Sequence, residues 1–389
     1  MNAESPQFAL VAGEASGDLL AGLLLDGMQQ RWPHMQAGGI GGARMLERGF
    51  KAWWPSDKLS VFGYIDALRH YREILGIRNQ LKTKLLSNPP DVFIGVDAPD
   101  FNLDLEADLR QTGIKTVHFV CPSIWAWRPK RVEKLKKSCD HVLCVFPFEP
   151  EILAKHGIPA TFVGHPLASV IPMQPDKAKA RQLLGFDASD KVTAVLPGSR
   201  LAEVKHLAPR YFMAVAIMII AYPAMKFIVP SVPKHIPLLQ KIAKECGVEK
   251  HVKIISGQSH ASLEACDVTL ITSGTATLEA ALYKRPMVIG YALNWLSFEI
   301  MKRKKLQPWV GLPNILSGKF VVPELIQHAA TPEALSAATL AWFAAPEKVA
   351  DLERQFTTLH TQLLRNTSEL AADAIAQVLL TTAKTVKAG

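Results

Sequence analysis

Short, nearly uninterrupted apolar runs, each leading into a helical pattern, are the feature that most restricts how this chain can fold. Phe8–Ala12, Asp91–Val96, Lys115–Val120 and His141–Val145 lie in the first half, and Val192–Leu196, Lys226–Val229, Val252–Ile255, Val268–Thr272 and Met287–Tyr291 in the second. A strand with one wet face alternates apolar and polar residues. These runs do not alternate, so both faces are covered, as in a parallel sheet packed between helices. The expected fold class is therefore α/β, with two Rossmann-like, doubly wound parallel-sheet lobes. Length agrees, because 389 residues exceed one typical domain and suit two of roughly 150–200 residues each. The stretch containing Pro166, Pro172 and Pro175 suits a hinge, which places the domains at 1–170 and 171–389. Beyond about residue 331 only helical periodicity remains, and the helices of about 345–389 are free to pack back on the first lobe.

One junction carries a chemical message. Leu270-Ile271-Thr272 is a strand end, and Ser273-Gly274-Thr275 opens the helix that follows. Free backbone N–H groups and the positive end of the helix dipole suit a diphosphate there. Glu279 lies four residues after Thr275 on the same helical face and leans toward the helix start. A carboxylate so placed repels phosphates but accepts hydrogen bonds from a ribose diol, so the implied ligand is a nucleoside diphosphate. An ordinary β-α-β unit with a capping Ser and a surface Glu remains the plainer alternative. Leu196-Pro197-Gly198-Ser199-Arg200 ends another strand, and Arg200 is placed to grip a phosphate with two hydrogen bonds or to stand as a surface Arg beside a capping Ser.

In the first half, Gly13-Glu14-Ala15-Ser16-Gly17-Asp18 joins a strand to a helix, with Ser16 either a helix cap or a ligand contact. Asp97, in Gly95-Val96-Asp97-Ala98-Pro99-Asp100-Phe101-Asn102, sits where Pro99 forbids the ladder to continue. Its carboxylate is a candidate base at the sheet edge, while Asp100 and Asn102 read as caps of the next helix. Trp125 and Trp127 with Arg128 follow a further strand and either lid the core or hold a sugar and a phosphate. Gly311-Leu312-Pro313-Asn314 is a turn able to present Asn314 to a ligand.

The net charge of +9 is partly clustered at 128–137 and 302–305. Such runs are usually solvated helix faces, and no nucleic-acid-binding signature or stacking platform accompanies them. An anionic membrane surface fits better, because Leu68, Ile74, Ile77, Leu81 and Leu85 recur at helical spacing among Arg69, Arg72, Arg78, Lys82 and Lys84. A core-facing stripe is the alternative. The apolar run Phe212–Ile220 is too short to cross a bilayer, which takes about 20 apolar residues, and reads as a core helix. Five cysteines show no paired or zinc-type spacing and read as buried thiols. The sequence reaches Phe8 without an export signal, so the cytosol is the expected compartment.

Taken in order, the Gly13–Asp18, Asp97–Asn102, Pro122–Arg128, Leu196–Glu203, Ser273–Glu279 and Leu312–Asn314 blocks resemble the lipid-A-disaccharide synthases, glycosyltransferases of the two-lobed GT-B fold with a cleft between the lobes. The resemblance implies an inverting transfer of a 2,3-diacylglucosaminyl group from UDP-2,3-diacylglucosamine to the 6-hydroxyl of 2,3-diacylglucosamine 1-phosphate. The products are the β-1,6 disaccharide 1-phosphate and UDP. It implies UDP on the second lobe, held by Arg200, Ser273, Gly274, Thr275 and Glu279. Asp97, Ser16 and Asn314 would serve acceptor or transferring sugar, with Trp125 and Arg128 as further contacts. It also implies no cofactor, no metal, no nucleic acid, and peripheral work at the inner face of the cytoplasmic membrane, with a homodimer left open. A UDP-sugar 2-epimerase would use the same lobes without needing an exposed basic amphipathic surface. A non-catalytic basic membrane-binding protein would leave Asp97, Arg200 and Glu279 idle.

Overall fold

In a computed structural model of the chain, the structure describes residues 5–13, 15–56, 59, 64–126, 130–292 and 307–386; within these, the side chains of 15–16, 64–71 and 382–386 are left aside. The chain divides into two units, Met1–Pro166 with Leu363–Gly389, and Leu167–Gln362. The break falls at the start of the proline-containing stretch. The chain crosses back at Leu363, so the last helix, Thr367–Val386, belongs to the first unit. It packs on the Ala15–Arg31 helix, where Ser368 Oγ donates to Leu23 O at 2.8 Å and bare Gly27 lets Ser368 approach.

The first unit is a parallel sheet of β1 (Gln7–Ala12), β2 (Gln36–Gly41), β3 (Lys51–Pro55), β4 (Val92–Val96), β5 (Lys115–Phe119), β6 (His141–Cys144) and β7 (Ala160–Phe162), in the order β3-β2-β1-β4-β5-β6-β7. The second holds β8 (Val192–Leu196), β9 (Lys226–Ser231), β10 (Val252–Ser256), β11 (Val268–Thr272), β12 (Met287–Tyr291) and β13 (Glu324–Ile326), in the order β10-β9-β8-β11-β12-β13. All ladders are parallel, and β4, β8 and β11 are buried along their whole length, which is what their unbroken apolar sequences require. In each sheet the order reverses once, between β1 and β4 in the first and between β8 and β11 in the second. Open α/β sheets bind ligands beyond the strand C-termini at such reversals.

The helix Leu201–Ala221 is long and apolar enough to cross a membrane by length and composition. Val204, Leu207, Tyr211, Phe212, Val215 and Met218 are nevertheless buried in the core of the second unit, and Tyr211 Oη donates to Gly290 O at 2.9 Å. It is a core helix. Four cysteines are buried thiols, but Cys246 is only half-buried.

Candidate active site

The reversal in the second unit brings two loops together, because Leu196 at the end of β8 is the register partner of Ile271 near the end of β11. Gly198, at φ 119°, leaves the space into which the Glu203 side chain folds; a Cβ there would come within 2.5 Å of Glu203 Cβ. Glu203 then accepts from the N–H groups of Ser199 and Arg200 at 3.1 and 3.2 Å, which anchors the start of the Leu201–Ala221 helix. Arg200 keeps a side chain 78% exposed, with Nη1 3.0 Å from Glu203 Oε1. Such a surface pair is weak, about 0–1 kcal/mol, and releases readily to an anion.

Across the reversal, Gly274 (φ 152°) and Thr275 are exposed at the start of the Thr275–Leu282 helix, and a Cβ on Gly274 would meet nothing within 4 Å. This is an open helix N-terminus beside an arginine. Ser273 differs from expectation, since its hydroxyl is spent on Val310 O at 2.8 Å, which leaves its backbone for a ligand. The Glu279 carboxylate is 17% exposed and lies 3.5 Å from His260 Nε2, and His260 in turn stands edge-on to Tyr283 at 5.7 Å. Burial raises the Glu279 pKa, against the pull of His260. His260 carries no local signal in the sequence, being far from Glu279 along the chain.

Asn314 requires a correction. It is fully buried, with Nδ2 donating to Val322 O and Glu324 Oε1, both at 2.9 Å, and Oδ1 accepting from the N–H groups of Val321 and Val322 at 2.8 and 3.0 Å. The amide has no capacity left for a substrate. Glu324, which the sequence did not single out, completes the clamp by accepting from Val310 N at 2.9 Å and Gly311 N at 2.8 Å. Together they fix the loop that Ser273 touches.

In the first unit, Val96 ends β4 beside Ala12 of β1, and Asp97 follows. Asp97 and Ala98 both take left-handed backbone, φ 52° and 43°, at a cost of about 1–2 kcal/mol per residue. The conformation is held from two sides. Asp97 N donates to Phe119 O at 2.9 Å, and Asn102 Nδ2 donates to Asp97 O at 2.8 Å. Among the described residues the half-buried Asp97 carboxylate has no hydrogen-bond partner. The helix starts at Pro99, with neither Asp100 nor Asn102 as its cap; Asn102 points back to the strand end and Asp100 pairs with Arg131. Opposite, Asp18 accepts from Gly42, Arg44 and Met45 N–H groups and caps the short Ala43–Leu46 helix. The side chain of Ser16 lies outside the described residues.

Trp125 also requires correction. It is buried edge-on against Phe146 and Phe148, at 6.0 and 5.1 Å, and its Nε1 donates to Glu149 Oε1 at 3.0 Å. The buried Glu149 carboxyl, pushed up to about 7 by desolvation, also accepts from Val145 and Phe146 N–H groups. Trp125 is a core lid. Trp127 and Arg128 lie outside the described residues, as do Lys302–Lys305. The basic amphipathic stretch belongs to the Tyr64–Ser87 helix, and its described half faces inward: Ile77, Leu81 and Leu85 are core, with Ile74 packed against them. Two of its cations are engaged too, Arg78 with Asp104 at 3.1 Å and Lys82 with Asp108 at 2.8 Å. Among the described residues no three His, Cys, Asp or Glu side chains gather as metal ligands.

Residues 8–377 match the family model described as lipid-A-disaccharide synthetase. The lipid-A-disaccharide synthase of Albidiferax ferrireducens is 64% identical over 378 residues, covering 96% of this chain and 97% of its own. Solved structures with the same fold include a putative UDP-N-acetylglucosamine 2-epimerase from Listeria monocytogenes, with TM-score 0.65 and 11% identity, covering 97% of this chain and 95% of that one. A glycosyltransferase from Rickettsia africae has TM-score 0.58 and 11% identity, covering 97% and 98%. At such identities these two share the architecture, a pair of parallel-sheet α/β lobes, and nothing finer.

Proposed function

The chain belongs to the lipid-A-disaccharide synthase family, and from that premise we propose how its residues divide the work of glycosyl transfer. The reaction moves a 2,3-diacylglucosaminyl group from UDP-2,3-diacylglucosamine to the 6-hydroxyl of 2,3-diacylglucosamine 1-phosphate, and releases UDP. An epimerase shares the fold, but the sequence match over nearly the whole chain is to the synthases.

The second unit takes the nucleotide. The diphosphate sits on the backbone of Ser273–Thr275 at the helix start, Arg200 exchanges Glu203 for a phosphate oxygen, and Glu279 accepts from the ribose diol. As the glycosidic bond to UDP breaks, negative charge grows on the diphosphate. A fixed helix N-terminus and a guanidinium stabilise that charge without reorganising. The first unit activates the acceptor. Its 6-hydroxyl is a poor nucleophile until its proton is taken, and the Asp97 carboxylate takes it as the new bond forms, with inversion at the anomeric carbon.

The observation that carries this reading is the Asp97 carboxylate at the first sheet's reversal, without a hydrogen-bond partner among the described residues and held on left-handed backbone that the protein maintains at a cost. We also place the enzyme peripherally at the inner face of the cytoplasmic membrane. The acyl chains of both substrates and the net charge of +9 support this, whereas the described half of the Tyr64–Ser87 helix does not supply the contact. Incubation with the two diacylglucosamine substrates, followed by mass spectrometry, tests the function. A disaccharide phosphate and UDP are expected, and 2-epimerised sugar without disaccharide would replace this reading with the epimerase one.

A further inference from the structure

Beneath the strand end that carries Asp97 lies a polar pair with no place in the chemistry described so far. Glu106 and His118 are fully buried, with His118 Nδ1 2.8 Å from Glu106 Oε1. Glu106 stands on the Pro99–Gln111 helix and His118 on β5, where its register partner on β4 is Gly95. Gly95 makes the room: a Cβ there would lie 2.1 Å from Glu106 Oε1 and 2.9 Å from Asn102 Cβ. Asn102 and Glu106, four residues apart, share one helical face, and that face drops into the notch. Asn102 is the residue that grips the Asp97 carbonyl.

The arrangement is a poor way merely to hold a core together. Glu106 Oε2, His118 Nε2 and Asn102 Oδ1 have no hydrogen-bond partner among the described residues. Each such buried group costs stability, and apolar side chains of the same volume would avoid that cost. Proteins keep local violations of this kind chiefly where function needs them. Burial holds the Glu106 carboxyl above its usual range, against the opposing pull of His118 and, more weakly, Lys134.

We infer that the Glu106–His118 pair is a positioning device for Asp97. It draws the first turns of the Pro99–Gln111 helix onto β4 and β5, so that Asn102 holds Asp97 and Ala98 in the left-handed conformation that presents the carboxylate to the acceptor. Neither Glu106 nor His118 touches substrate; both act through Asn102 on the backbone of Asp97.

The inference rests on Asp97 as the base, and a double-mutant cycle in the full-length enzyme separates the two claims. Glu106→Leu leaves His118 Nδ1 buried without its partner, so it is expected to fold with a lowered melting temperature and to bind UDP as the wild type does. Its kcat should fall by roughly tenfold to a hundredfold with little change in KM, as for a misplaced base. In an Asp97→Asn background the same substitution should cause no further fall. Glu106→Gln, which keeps one bond to His118, should lie between; if the Leu variant does not fold, the Gln variant carries the cycle. An equal fall in both backgrounds, or none beside an intact Asp97, overturns the inference while leaving the base assignment standing. Normal turnover in Asp97→Asn alone overturns the base assignment, and the inference with it.

Discussion

Glu279 Oε2 lies 3.5 Å from His260 Nε2, so the carboxylate proposed for the ribose stands beside an imidazole. Burial raises the Glu279 pKa and His260 lowers it, the first effect being the larger. A raised carboxyl pKa favours the neutral form in the folded protein. Its contribution to stability is therefore complete below the ordinary carboxylate range and is lost as pH rises through the raised value. The proposed nucleotide binding runs in the opposite direction, because a ribose diol would donate to the ionised form.

UDP affinity in the wild type is accordingly expected to weaken on acidification, beginning above the ordinary Glu value of about 4.3. In Glu279→Gln only the acid dependence of the nucleotide's own phosphates should remain. Calorimetry between pH 7 and pH 5 compares the two, and parallel curves would remove Glu279 from the ribose site.

Arg200→Ala should separate binding from stability. The guanidinium is mostly exposed and its pair with Glu203 is a surface one, so the melting temperature should move little. Loss of a charge-assisted hydrogen bond to phosphate costs about 1.5–3 kcal/mol, a tenfold or greater loss of UDP affinity. Unchanged affinity would mean that the diphosphate is held elsewhere.

Asn314→Ala distinguishes a loop clamp from a catalytic side chain. The substitution strips partners from the N–H groups of half-buried Val321 and buried Val322 and from Glu324. Destabilisation of at least ~2 kcal/mol is expected, seen as an earlier denaturant midpoint. The loop also abuts Ser273, so UDP affinity should fall by a few fold. A variant of wild-type stability with abolished turnover would restore Asn314 to the reaction.

How much could be read beforehand depended on how local each signal was. Parallel strands such as β4 and β11 announce themselves because burial on both faces leaves few polar positions, none in β4 and only two threonines in β11. β2 does not, because Gln36–Gly41 is rich in glycine, which reads as a breaker. The glycines are there for close approach: a Cβ on Gly39 would sit 2.0 Å from Leu10 O, and one on Gly38 2.8 Å from the Trp53 ring. The places of Arg200 and Asp97 in the fold could be read because each comes soon after a strand end, and that of Glu279 because it lies one turn into the helix that follows β11. Glu324, His260 and the Glu106–His118 pair were not, since their partners are distant in sequence or belong to other elements. The stripe of the Tyr64–Ser87 helix showed its period but not its partner, and Asp104 and Asp108 turned its cations into structural ones.

That stripe yields its own test. Leu81 is fully buried in the first unit's core, so Leu81→Ala should cost about 2–5 kcal/mol and lower the melting temperature by roughly 5–20 °C. Binding of the folded protein to anionic vesicles should be unaffected. Weakened vesicle binding at unchanged stability would show that this part of the helix meets lipid after all.

Asp97→Asn is the sharpest probe of the chemistry. The amide has the shape of the carboxylate and leaves the backbone contacts to Phe119 and Asn102 intact, so the left-handed geometry at the strand end should persist. What it loses is basicity. General-base catalysis is typically worth 10²–10⁴-fold, and kcat should fall by about that factor. In the proposed division of work the nucleotide is bound by groups of the other unit, so UDP affinity should hold, and a loss in kcat without a loss in binding marks an interaction made in the transition state. Near-normal turnover would place the base elsewhere, and Asp100, whose pair with Arg131 is exposed on the Asp100 side and so weak, would be the next residue to test.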